Sequence, residues 1–184
     1  MVFTVLSGHT QLKLLNNNPQ FNEALNKITA DYCNQFRNLR GESIVNNPES
    51  SEFTSTVNLP GAEACTIIQM RNTRQETRAF EALMLTTDDF DAASKKYKQL
   101  YAQLHNASIR LDNGGGRYVV KGEMEKPTEE KAMFSTLFDI TPSTAFNKNL
   151  HIELTMTYEL LEWKVKIAVY DKVPDDEAGP GANY

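Results

Sequence analysis

Two consecutive runs near the end of this chain each alternate apolar and polar residues, and together they restrict the fold more than any other feature. In His151-Ile-Glu-Leu-Thr-Met-Thr-Tyr-Glu-Leu160 every even position from Ile152 to Leu160 is apolar. Trp163, Val165, Ile167 and Val169 then alternate with Glu162, Lys164, Lys166 and Ala168. A period of two marks a strand with one buried face, so the runs predict an antiparallel hairpin laid on a core. Setting Leu160 opposite Trp163 puts Tyr158 against Val165 and Met156 against Ile167 inside, with Glu159 against Lys164 outside.

Two segments have the helical period needed to cover that row. The first opens at Asn18-Pro19, a capping residue followed by proline at the first helical position. It aligns Phe21, Leu25, Ile28, Tyr32, Phe36 and Leu39 before Gly41 ends it. The second opens at Asp88, with acids suited to a helix N-terminus, and aligns Phe90, Ala93, Tyr97, Leu100 and Leu104.

Strand patterns fill most of the remainder. Glu52 to Leu59, Ala64 to Met70 and Arg78 to Leu85 follow the first helix, with Pro60-Gly61 as a type II turn. Ser108 to Leu111, Arg117 to Glu123 and Lys131 to Ile140 follow the second, with Asn113-Gly-Gly-Gly116 as a hairpin turn. Phe3 to Leu6 and Gln11 to Leu15 are candidates for an edge strand or a strand pair. Gly41 to Ser51 and Met124 to Glu130 read as exposed loops. The expected architecture is therefore α+β: a largely antiparallel sheet with two amphipathic helices packed on one face. Residues 1–174 form a single domain, and 175–184, without periodicity, a disordered tail. Phe21, Ala24, Lys27 and Tyr32 match Phe90, Ala93, Lys96 and Tyr101 at a spacing of 69 residues, which suggests a tandem helix-plus-meander arrangement.

Composition then narrows the function classes. A net charge of −5, three of its acids in the tail, leaves a near-neutral body that points to neither nucleic acid nor an anionic membrane as partner. No run approaches the ~20 apolar residues of a membrane span. The chain as it stands reads as soluble, either cytoplasmic or a mature exported domain lacking its leader. Cys33 and Cys65 are too few for a disulfide framework and read as two buried small apolar residues, with a helix-to-sheet bridge as the sharper alternative.

No nucleophile elbow, phosphate-loop, zinc-protease, Cys-x-x-Cys or calcium-loop signature is present. His9, His105 and His151 are far apart and read as structural. Glu153 and Glu159 share a strand face but stand roughly 20 Å apart at ~3.3 Å per residue, too far for a carboxylate pair. Gly114-Gly-Gly-Arg117 precedes a strand and not a helix, so it reads as a turn and not a phosphate cradle. Arg71, Arg74 and Arg78, and Lys95, Lys96 and Lys98, read as solvated basic surface.

No residue is thus assigned to catalysis, to a cofactor or to a metal. The reading is a non-catalytic α+β domain that binds a protein partner or associates with itself through its outer sheet face or an edge strand. The alternatives are a small-ligand carrier or enzyme with a pocket between helices and sheet, and a structural piece of a larger assembly.

Overall fold

The computed structural model describes residues 18–71, 76–111 and 116–171, with the side chains of residues 71 and 76 left aside. The strand candidates at 3–6 and 11–15, His9, Arg74, the turn at 113–115 and the tail at 175–184 lie outside the described residues. Among the described residues, two α-helices and nine strands form an α+β fold. The helices are α1 (Pro19–Ala30) and α2 (Phe90–Leu104). The strands are β1 (Arg40–Asn46), β2 (Ser50–Ser55), β3 (Ala64–Arg71), β4 (Glu76–Thr87), β5 (Ser108–Arg110), β6 (Arg117–Lys121), β7 (Met133–Thr141), β8 (Leu150–Glu159) and β9 (Glu162–Asp171).

Every pairing is antiparallel, and the strand order is β1-β2-β3-β4-β9-β8-β7-β6-β5. Two meanders, each drawn from consecutive strands, therefore meet at the β4–β9 seam. β7 links the two parts of the second meander, pairing with β8 over residues 133–138 and with β6 over residues 139–141. No helix among the described residues is long and apolar enough to cross a membrane.

Ile152, Leu154, Met156, Val165, Ile167 and Val169 are all fully buried, as their alternation requires. They join Phe21, Leu25 and Ile28 of α1 and Ala93, Tyr97 and Leu104 of α2 in one apolar cluster. Each buried valine, leucine, isoleucine, methionine or phenylalanine among them contributes roughly 1.5–3 kcal/mol. α2 touches β4, β8 and β9, whereas α1 touches β5. The other flank of α1, at Gln20, Ala24 and Lys27, faces Thr56, Val57 and Pro60 across a shallow cleft.

The register of the last hairpin differs from the expected one by two residues. Tyr158, not Leu160, stands opposite Trp163, and Met156 faces Val165. A two-residue slip keeps each side chain on its face, so alternation alone does not distinguish the registers. Tyr158 and Trp163 instead gain a ring contact, with centroids 5.0 Å apart, and Lys164 reaches Glu159 on the diagonal at 3.6 Å.

The first helix is shorter than its apolar stripe. It ends at Ala30, and two short 3₁₀ turns carry the chain over 31–34 and 37–39. Gln35 and Phe36 between them take left-handed backbone conformations. Asp31 organises this reversal, accepting hydrogen bonds from Asn34 Nδ2, Asn38 Nδ2 and the Asn38 backbone N–H. Phe36 and Leu39 still reach the core, by way of turns and not helix. Gly41 accordingly lies in β1, a strand that the sequence did not announce. β1 has no alternation to read, because almost all of it is exposed and its pairing with β2 shifts register twice within seven residues. The return strand β2 ends at Ser55, four residues before the buried Leu59. Gly61, at φ 81°, completes the turn expected at Pro60-Gly61, closed by the Ala62 N–H to the Leu59 carbonyl.

Candidate functional site

The edges of a sheet are its readiest binding surfaces, and both edges of this one are modified. At β5, the side-chain amide of Asn26 on α1 takes the place of a neighbouring strand. Asn26 Oδ1 accepts the Arg110 N–H at 2.7 Å, while its Nδ2 donates to the Ser108 carbonyl at 3.4 Å. Thr29 Oγ1 adds a bond to the Arg110 carbonyl at 3.3 Å. At β1, the two register shifts bend and twist the strand, a device that discourages edge-to-edge pairing.

The centre of the outer face is polar and internally bonded. Lys166 meets Glu81 at 3.1 Å. Glu153 accepts hydrogen bonds from Ser135 Oγ and from Tyr170 OH. Burial, helped by the Glu153 carboxylate, pushes the Tyr170 phenol up to about 12. Two donors on one carboxylate hold it in place, and a carboxylate is far too weak a base to ionise the Ser135 hydroxyl. Beside this cluster, Lys131 and the Ser135 backbone N–H hold the Glu125 carboxyl below its usual range.

The remaining sequence candidates do not converge. His105 caps the end of α2, with Nδ1 3.1 Å from the Gly122 carbonyl that Tyr101 OH also reaches at 3.0 Å. His151 lies on the outer face of β8, its Nδ1 3.9 Å from Asp139. Cys33 is exposed, contrary to expectation, and Cys65 is buried. No disulfide joins them, and burial raises the Cys65 thiol, making it a weak nucleophile. Lys95 and Lys98 are solvated. Among the described residues, no group of three or more His, Cys, Asp or Glu side chains gathers at metal-binding distance.

Exposed apolar side chains also occur at Ile44, Val45, Met70, Leu137 and Phe146, but the two most exposed among the described residues lie at the tip of the β8–β9 hairpin. The two-residue turn is Leu160-Leu161, with φ of 52° and 68°. Both central residues at positive φ is the type I′ geometry that asparagine and glycine favour. A leucine there carries a strain of about 1–2 kcal/mol. The two side chains are also 88% and 78% exposed. Tyr158 and Met133 lie exposed on the adjoining strand ends. Tyr158 and Trp163 also line a cavity of about 370 Å³ with Phe90, Ala132, Asp88, Glu129, Glu130 and Lys131. Glu159 and Glu162 flank the turn itself, and the nearby Lys131 and Lys164 are bridged to Glu125 and Glu159. The tip is an apolar knob in an acidic surround.

The sequence reading missed this knob by pairing Leu160 with Trp163. A signal was present: Leu160-Leu161 is the point at which strict alternation breaks. Comparison with protein-family models, with curated proteins and with solved structures finds no match to this chain.

Proposed function

We propose that the chain is a non-catalytic binding domain that docks a protein partner through the tip of its β8–β9 hairpin. One observation carries this reading: two leucines in left-handed conformations, almost fully solvated, at a turn where neither is a favoured residue. Fold stability alone selects against them, so a gain outside the monomer is the physical reason to keep them. Burying both in a partner returns roughly 3–6 kcal/mol, against a combined strain of about 2–4 kcal/mol. The acidic surround sets the partner's chemistry as an apolar pocket rimmed by lysine and arginine. It also disfavours self-association at this point, where two copies would set Glu162 against its own counterpart.

The finer architecture supports a scaffold role. In this reading the two amphipathic helices share the inner face, and α1 to β4 and α2 to β9 derive from one repeated unit. The mirrored strand order about the β4–β9 seam favours that descent, as do the three helix matches Phe21/Phe90, Ala24/Ala93 and Lys27/Lys96.

The test is a photo-crosslinking residue at position 161, with one at Lys98 on α2 as control, used in native extract. The captured protein is then purified and titrated against the wild type and the Leu160→Asn/Leu161→Gly double variant. A partner crosslinked from 161 alone, through a peptide rich in lysine and arginine, and bound at least tenfold more weakly by the folded double variant, supports the reading. Crosslinks only to a second copy, or equal affinity for the double variant, overturn it.

A further inference from the structure

A separate site lies at the other end of the sheet. A cavity of about 580 Å³ opens between α1 and the β5–β6 pair, lined by Asn22, Asn26, Asn106, Ser108, Arg110 and Arg117. Arg110 and Arg117 are direct cross-strand partners, so both side chains leave the sheet on the same side. Like charges set opposite one another destabilise a strand pair. Among the described residues, neither guanidinium takes part in an ion pair or hydrogen bond. Glu23, also on the cavity wall, is held by Lys27 at 2.9 Å. Asn106 enters the wall with a left-handed backbone at φ 67°, a conformation that asparagine tolerates better than most residues.

From these relationships we infer that the α1–β5–β6 cavity binds a small oxyanion, a phosphate or carboxylate group, between Arg110 and Arg117. A guanidinium pair matches the oxygens of such a group, and the anion cancels the repulsion that the strand pairing imposes. The Asn106 and Ser108 side chains on the wall suit a polar, hydrogen-bonding body attached to that group. The β8–β9 tip takes no part, so this site stands independently of the docking reading.

Isotope-labelled full-length protein titrated separately with inorganic phosphate and with acetate tests the inference, the two arms distinguishing the anion types. Backbone signals of 108–110 and 117–119 are expected to shift along a saturable curve with at least one of the two, at millimolar concentration or below. Arg117→Gln is expected to weaken that binding at least tenfold, whereas Lys98→Gln leaves it unchanged. Thermal melts supply a second readout: the anion raises the melting temperature of the wild type but not that of Arg117→Gln. Non-saturating shifts with both anions, or equal loss in Lys98→Gln, overturn the assignment.

Discussion

Asn26 Oδ1 accepts the backbone N–H of Arg110 at 2.7 Å, a bond between residues 84 positions apart. A side-chain amide thereby performs the work of a tenth strand on a β5 that is only three residues long. Asn26→Ala should cost about 1–2 kcal/mol, the loss of two neutral hydrogen bonds at a part-exposed site. Amide hydrogen exchange should accelerate at Arg110 and its neighbours and stay unchanged in β8 and β9. Unchanged exchange at Arg110 would show that the edge is held by something else.

The turn leucines make an opposite prediction. Replacing Leu160-Leu161 by Asn-Gly relieves the left-handed strain and should stabilise the fold by about 1–2 kcal/mol in a urea titration. A destabilised double variant would mean that the leucines serve the monomer after all.

Gly122 lies against β7 with no room for a side chain. A Cβ built there sits 2.6 Å from the Leu137 carbonyl and 2.9 Å from the Phe138 ring. The Gly122 carbonyl also receives Tyr101 and faces His105. Gly122→Ala should therefore destabilise by about 1–3 kcal/mol through backbone displacement. A melting temperature within error of the wild type falsifies this steric account.

Tyr170 gives a pH signature. Its phenol is raised to about 12 in the folded protein, by burial first and then by Glu153. A raised acid binds its proton more tightly when folded, so its contribution is complete below the ordinary tyrosine value of ~10. That contribution is lost as pH rises through about 12. The ultraviolet phenolate titration of wild type minus Tyr170→Phe should have its midpoint near the raised value. A difference curve centred on the ordinary value would show that Glu153 and burial do not hold the proton.

Asp31 is the polar residue on which the path from α1 to β1 most depends. Asp31→Ala leaves the Asn38 N–H and two side-chain amides without their acceptor, and should cost about 2–3 kcal/mol. Exchange protection should fall first along β1 and β2. Asp31→Asn keeps one acceptor oxygen and should fall between the two.

Legibility followed the strength of the periodic signal. α2 began within two residues of its expected start because Asp89 caps it and one face repeats through Leu104. β8 and β9 were plain because one face is wholly buried. β1 was invisible because an edge strand exposed on both faces and bulged twice has no period to show. The end of α1 was misplaced because Tyr32, Phe36 and Leu39 keep helical spacing while the backbone, turned by Asp31, leaves the helix. At the tip, the expected register put Leu160 inside because a slip of two costs alternation nothing.

The sequence by itself determined the α+β class, the helix starts and the inward row of the final hairpin. Each of these rests on a local period or cap, which a window of a few residues contains. Tertiary structure alone decided which strands became edges, how Asn26 closes one of them, and that α1 lies beside Arg110 and Arg117. Those relations join residues tens of positions apart, largely through backbone groups that are the same in every residue but proline. Local pattern therefore fixes which side chains turn inward, whereas the pairing of strands fixes which polar and apolar groups are left at the surface to meet something else.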